Sequence, residues 1–217
     1  MLEHEWPAWL PPEVLFPVGR LRMPGVDRDA YAAMAAAAPE VARDLAAAGA
    51  SVVAYACALG SVYDGPEAEG TLAAALAAAA GRPAVTLGAA CVAALRRVGA
   101  RRPAILTPYG EAANRRVTDY ATACGLTPEG PIATPVDMAT VGDLSPAAVV
   151  AIAVEAIAAC PHADSLWIPC TALQTLDAIE AIEAVAGRPV VSGSQALLWR
   201  SLEILELETR GPGCLFR

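Results

Sequence analysis

The sequence contains only two histidines, His4 and His162, and neither a Cys-x-x-Cys nor a His-x-x-x-His pair. A zinc site needs three or four closely spaced ligands of these types, so no metal centre is expected. The same shortage argues against Ser-His-Asp and Cys-His catalysis. His162 sits in the turn-like stretch Cys160-Pro-His-Ala-Asp164 and reads as a loop residue. There is no Gly-x-Gly-x-x-Gly fingerprint and no P-loop, and nothing calls for a flavin, so no cofactor is expected. Aromatics make up 5% of the chain, and none is interleaved with the pairs Arg96/Arg97, Arg101/Arg102 and Arg115/Arg116. With a net charge of −8, this excludes a nucleic-acid surface, which needs a clustered basic patch.

Long apolar runs are missing too. The alanine-rich stretch from Leu72 to Ala80 is about half of a bilayer span, so no membrane segment is expected. The opening Met1-Leu-Glu-His-Glu-Trp6 is acidic and does not resemble a secretory leader. A cytosolic location is therefore expected, with the six cysteines reduced and serving as packing or reactive residues. What is abundant is apolar: 56% of residues, much of it alanine, against 18% charged, which excludes disorder.

Short apolar runs at residues 51–57, 83–87, 103–107, 130–134, 165–170 and 189–192 predict strands. Between them, residues 27–48, 66–80, 89–98, 111–124, 146–159, 173–186 and 195–205 read as helices, several with Pro or Asp starts and Gly ends. Strands that are apolar throughout and alternate with helices imply a parallel sheet covered on both faces, so the fold class is α/β. No low-complexity linker divides the chain.

An internal repeat refines this picture. Gly81-Arg82-Pro83-Ala84-Val85-Thr86 matches Gly187-Arg188-Pro189-Val190-Val191-Ser192, 106 positions later. Upstream of each lies a helix and then an apolar strand ending in cysteine, Val52 to Cys57 and Ser165 to Cys170. Two pseudo-symmetric Rossmann-like lobes with parallel sheets and a cleft between them are therefore expected. Residues 1–92 with 195–217 would form lobe one, and residues 93–194 lobe two.

Ligands of open parallel sheets bind at the carboxyl ends of the strands, where Cys57 and Cys170 are placed. A lone strand-end cysteine is more often a small buried apolar residue, but two at repeat-equivalent positions point to chemistry. The small and hydroxyl residues after them, Ala58-Leu59-Gly60-Ser61 and Thr171-Ala172-Leu173, form turns whose N–H groups can hold a carboxylate and lower a thiol pKa. Thiols facing each other across a cleft suit a reaction at a planar carbon, one attacking or taking a proton and the other returning one. Cys91, Cys124, Cys160 and Cys214 have no such pairing and read as packing residues.

Four segments carry a family resemblance: Tyr55-Ala-Cys57-Ala-Leu-Gly-Ser61, Thr107-Pro-Tyr109 with Asn114 a few residues on, Pro169-Cys170-Thr171-Ala-Leu173, and Ser194-Gln-Ala-Leu-Leu-Trp199. They resemble the maleate cis-trans isomerase group of the aspartate/glutamate racemase superfamily, which also contains arylmalonate decarboxylase. The resemblance extends to Gly211-Pro-Gly-Cys-Leu-Phe216 near the end of the chain. It implies Cys57 as nucleophile and Cys170 as the opposite acid/base. Addition of the Cys57 thiolate to an alkene, rotation about the resulting single bond and elimination would convert maleate to fumarate. Tyr109 matches a position whose hydroxyl contacts a substrate carboxylate, and Asn114 opens the helix behind it. The presence of both cysteines disfavours the decarboxylase branch, which is built around a single one on the second-half side.

Two departures stand out. Members of this group usually begin with a strand and a Pro-Ser-x-Asn segment, whereas this chain opens on a sequence resembling the stretch just after that segment. The strand and its carboxylate-binding Asn are therefore expected to be missing. Val136-Asp137-Met138 stands where the group tends to carry a polar Asn, which points to an altered substrate. The competing expectations are an amino-acid or hydantoin racemase, an arylmalonate-type decarboxylase, and a truncated, weakly active small-acid binding protein. All share a small carboxylate as partner. A chain of net charge −8 repels dianions at long range, so local N–H groups and an arginine not singled out by sequence would have to hold it. A strand edge left open would favour a homodimer.

Overall fold

A computed structural model describes residues 2–217. The chain begins with a short helix α1 (Leu2–Glu5), a 3-10 turn (Trp6–Ala8) and a stretch without helix or strand. Then come α2 (Arg28–Ala47), β1 (Val53–Tyr55), α3 (Ala58–Val62), α4 (Gly65–Ala80), β2 (Ala84–Thr86) and α5 (Leu87–Arg97). The second half comprises β3 (Pro103–Thr107), α6 (Glu111–Ala123), β4 (Glu129–Ala133), α7 (Pro146–Ala158), β5 (Ser165–Ile168), α8 (Ile179–Ala186), β6 (Val190–Ser192) and α9 (Gly193–Ile204). All six expected strands form, and every strand pairing is parallel.

The strands make two sheets, β1-β2 and β4-β3-β5-β6. In the larger sheet every residue of β3, β5 and β6 is buried, because helices cover both faces. Trp167, Ile105, Leu106, Leu166 and Ile168 are the largest side chains there. Truncating one of them, as in Leu106→Ala, would cost about 2–5 kcal/mol. The core continues from this sheet through α5 and α9 to Tyr31 and Trp6, and a smaller cluster of Ala38, Ala42, Val53, Tyr55, Leu72 and Leu76 lies under β1.

The repeat has a conformational basis. Gly81 and Gly187 end α4 and α8 with φ of +61° and +63°, the left-handed region that glycine enters without a Cβ penalty. Each releases the chain into an equivalent strand, β2 or β6, which runs directly into α5 or α9. The two copies diverge at the next cap. Ser192 and Gln195 form a reciprocal capping box on α9, whereas Thr86 donates its hydroxyl to Glu69 at 2.6 Å.

Glu69 in α4 also accepts the Ala89 N–H at 2.9 Å and the Tyr120 hydroxyl, which tethers α6 of the second half to the first half. Gly88 is required beside it, since a Cβ there would come 2.5 Å from the carboxylate.

Three local features depart from the sequence expectation. The helix expected from residue 173 begins at Ile179, because Glu5 accepts the N–H groups of Thr175 and Leu176 and holds that stretch as a turn. Residues 58–62, with no expected element, form α3. Residues 15–26 make no backbone–backbone hydrogen bond and are held by side chains, among them Phe16 stacked on Trp6 at 4.9 Å between ring centroids. A cavity of about 1100 Å³ lies between this segment and β1, lined by Leu10, Phe16, Met34 and Tyr55 and reaching Cys57 and Thr171. Among the described residues, no helix is long and apolar enough to cross a membrane.

Candidate active site

The end of β1 delivers Cys57 to the start of α3. Its Sγ accepts the Gly60 N–H at 3.3 Å, so the thiol serves as the helix N-cap, and the Ser61 hydroxyl donates to the Cys57 carbonyl at 2.7 Å. Gly60 permits this close approach: a Cβ there would run into the Tyr55 hydroxyl and come 3.1 Å from the Cys57 sulfur. Burial raises the Cys57 thiol pKa above its usual value, the Gly60 N–H lowers it, and the proximity of Cys170 raises it again. Ala58, Leu59 and Ser61 are buried beneath the turn.

The end of β5 delivers Cys170, which is 4% exposed. Burial raises its thiol as well, while the Tyr109 hydroxyl and the N–H groups of Ala172 and Leu173 pull it back. Thr171 and Ala172 are half-buried, and the Thr171 hydroxyl donates to the Ala56 carbonyl at 3.4 Å. The two strand ends thereby meet, and the structure brings Cys57, Cys170 and Tyr109 into one site. Burial thus holds both thiols above their ordinary range.

Tyr109 lies in the turn from β3 to α6. Burial raises its phenol well above the ordinary range, and the neighbouring Cys170 and Cys57 raise it further. The turn is held by Asn114, whose Nδ2 donates to the Tyr109 carbonyl at 2.9 Å and whose Oδ1 accepts the Thr107 hydroxyl. The Tyr109 N–H donates to Thr107 Oγ1 at 3.2 Å. Both ends of the buried Asn114 amide are thus engaged inside the turn, which gives this residue a positioning role for Tyr109.

Several residues at the site were not singled out by sequence. Tyr31 of α2 is buried, and its phenol is pushed up to about 12 by burial and then by Cys57, Tyr63 and Cys170. Tyr55 is buried beside Cys57 with no partner for its hydroxyl. Tyr31 packs on Tyr63 at 5.3 Å, and the Arg116 guanidinium lies 5.2 Å above the Tyr63 ring, a cation–π contact between α6 and the first half. Phenols on three different elements could have been found only from their grouping in space.

Elsewhere the predicted candidates separate. His162 is exposed in its turn, where its N–H donates to Glu129. Cys91 and Cys160 are buried and Cys124 and Cys214 half-buried, and all six cysteines are free thiols. Met138 is 42% exposed on the loop after β4, and that loop reaches the turn after Cys170 through Gln174, which donates to the Gly142 carbonyl at 2.9 Å. Among the described residues, no three His, Cys, Asp or Glu side chains converge as metal ligands would.

A two-lobed α/β protein with a thiol at one strand end of each half belongs to a narrow structural class. The arylmalonate decarboxylase family model matches residues 5–216, and the chain belongs to that family. It is 31% identical to arylmalonate decarboxylase of Bordetella bronchiseptica over 91% of this chain and 82% of that protein. It is 27% identical to maleate isomerase of Geobacillus stearothermophilus over 97% and 89% of the two chains. Among solved structures, a liganded double mutant of arylmalonate decarboxylase superposes with a TM-score of 0.90 at 31% identity, covering 97% of this chain and 92% of that one. A Nocardia farcinica maleate cis-trans isomerase mutant carrying a covalently bound succinylcysteine intermediate superposes with a TM-score of 0.88 at 28% identity, covering 100% and 93%. These likenesses bear out the two-lobed fold and an enzyme of the isomerase class.

Proposed function

We propose that the protein is a two-cysteine cis-trans isomerase of small dicarboxylates of the maleate type. The observation that carries this reading is the convergence of Cys57 and Cys170, each at the end of a parallel strand, with the two strand ends joined by the Thr171–Ala56 hydrogen bond and the Cys57 sulfur accepting the Gly60 N–H. Cys57, having released its proton to solvent, adds as thiolate to one alkene carbon, forming a C–S bond. Cys170 donates its proton to the other carbon, giving a succinyl-cysteine. The former double bond is then single and rotates. The Cys170 thiolate takes the proton back as the C–S bond breaks, releasing the trans diacid. The covalently bound succinylcysteine of the Nocardia farcinica relative supports such an adduct. Tyr109, with the N–H groups of Ala58 and Leu59 in the first turn of α3 and of Thr171 and Ala172, would receive the substrate carboxylates, Gly60 and Ser61 shaping that turn through their bonds to Cys57.

A second reading, decarboxylation of an arylmalonate, is favoured by the apolar cavity that reaches Cys57 and by the 31% identity to the Bordetella enzyme. There Cys170 alone would protonate the carbanion left by loss of carbon dioxide. Racemisation of an amino acid or hydantoin would use both thiols as acid and base.

Proton NMR of maleate incubated with the protein separates these readings. Growth of the fumarate signal, abolished by Cys57→Ala and by Cys170→Ala, supports the isomerase. Activity that survives both substitutions overturns it. Carbon dioxide release from phenylmalonate that survives Cys57→Ala supports the decarboxylase, and binding without turnover of any of these acids leaves a small-acid binding role.

A further inference from the structure

The face of β1 that carries Cys57 also carries a hydroxyl with nothing to bond. Cys57 keeps the extended backbone of the strand, with φ of −117° and ψ of 115°. The alternation of side chains therefore runs on to it, and Tyr55, two residues earlier, shares its side. The two meet at Gly60. The position a Cβ there would take is walled by the Tyr55 hydroxyl, a carbon of the same ring at 3.2 Å and the Cys57 sulfur at 3.1 Å. Tyr55 is 5% exposed, and its hydroxyl has no hydrogen-bond partner.

Packing alone does not call for that hydroxyl. In the second half the residue two places before Cys170 is Ile168, fully buried on β5, so the repeat fills the equivalent position with an aliphatic side chain. Burying a hydroxyl without a partner is costly, and an apolar side chain would avoid the cost. What the site does need is a donor. Cys57 can attack only as thiolate, and its sulfur accepts one N–H, that of Gly60 at 3.3 Å. Burial works against the charge. The titratable groups around the sulfur are Cys170 after β5, Tyr31 of α2 and Tyr109 of the turn from β3 to α6, all of them acids that bring no positive charge.

We propose that the Tyr55 hydroxyl is reserved for the Cys57 thiolate, donating to the sulfur once the thiol proton has left. A thiol sulfur is a weak acceptor and does not hold the hydroxyl. A thiolate is a charged one and draws it across the bare face of Gly60. The phenol keeps its own proton throughout, since burial and then Cys57 and Tyr31 raise it above the ordinary range. When the sulfur bonds to the substrate carbon it becomes a thioether and the hydroxyl is released. The hydrogen bond returns as the C–S bond breaks, so it exists only while the sulfur is charged. The inference rests on the proposed nucleophile role of Cys57, but its test does not depend on turnover.

Alkylation of the protein by iodoacetamide, followed at each cysteine by peptide mass spectrometry, gives a pH profile for each thiol. Tyr55→Phe keeps the ring and is expected to move the Cys57 profile up by about one pH unit while that of Cys170 stays in place. Tyr31→Phe, which removes another phenol near Cys57, is expected to give a smaller shift. An unmoved Cys57 profile in Tyr55→Phe overturns the proposal, as do equal shifts of Cys57 and Cys170 or a larger shift in Tyr31→Phe. A hydroxyl that merely packs would change the melting temperature and leave the profile where it was. Failure of the nucleophile role itself reads differently: turnover would persist in Cys57→Ala, whatever Tyr55→Phe does to the profile.

Discussion

The hydroxyl of Thr171 donates to the carbonyl of Ala56 at 3.4 Å, and these two residues are the chain neighbours of Cys170 and Cys57. One hydrogen bond thus ties the strand end of one half to the strand end of the other, at the point where both thiols emerge. Chemistry shared between two groups on separate lobes depends on their separation, and a misplacement of about 1 Å can cost about 100-fold in rate.

Thr171→Val keeps the side-chain shape and removes the donor. We expect a loss of about 1 kcal/mol in stability, typical of one hydrogen bond, and a fall in kcat/KM of between about 10- and 100-fold. Thr171→Ser should retain most of both. Steady-state kinetics beside urea unfolding checks this; equal activity in Thr171→Val and wild type would show that the lobes keep their spacing without the bond.

Tyr109 lies beside Cys170, where its hydroxyl lowers the thiol, and is itself held by Asn114, so the two substitutions should differ in kind. Tyr109→Phe removes the hydroxyl that lowers the Cys170 thiol, and we expect the pH profile of kcat to move upward by about one unit. Asn114→Ala leaves the Tyr109 hydroxyl in place but strands the Tyr109 carbonyl and the Thr107 hydroxyl. It should cost about 1–3 kcal/mol of stability with a smaller shift of the profile. A pH profile unmoved by Tyr109→Phe would remove the hydroxyl from the proton-transfer chemistry.

The Tyr55 hydroxyl is buried without a hydrogen-bond partner beside Cys57 and Gly60, an arrangement that costs about 1–3 kcal/mol. Tyr55→Phe should therefore stabilise the protein, raising Tm by about 2–4 °C per kcal/mol recovered. If the hydroxyl is kept for the Cys57 thiolate, kcat/KM should fall in the same variant. Higher Tm with unchanged turnover would make it a packing residue only.

The six strands were legible because each is a short apolar run punctuated by Pro, Gly or Ser, and the duplication because Gly81 and Gly187 perform the same left-handed helix ending. Cys57 and Cys170 were legible as consequences of that duplication. Glu5 was not, since its partners lie 170 residues away and its burial depends on packing that no local pattern records. The late start of α8 escaped for the same reason: residues 173–178 have helical composition, and a distant carboxylate overrides it. Asn114 looked like a helix position open to a ligand, yet both ends of its amide close the turn before its own helix.

Glu69 links the two halves through Tyr120 and sets a pH dependence of stability. Burial raises its pKa above the usual carboxylate value, and the hydrogen bonds from Thr86, Tyr120 and Ala89 only partly offset this. A carboxyl whose folded pKa lies above its unfolded one binds its proton more tightly in the folded state. Its contribution to stability is therefore complete below the unfolded pKa of 4.5 and is lost as pH rises through the folded value. Glu5, also raised by burial, acts with the same sign. Urea unfolding of wild type from pH 4.5 upward should accordingly show stability declining as these two groups ionise. Glu69→Gln, neutral at every pH, should flatten part of that decline while Glu5 maintains the remainder. Glu69→Ala should lose about 1–3 kcal/mol at every pH by leaving the Thr86 and Tyr120 hydroxyls unpartnered. A wild-type profile that rises with pH over this range would reverse the sign assigned to Glu69.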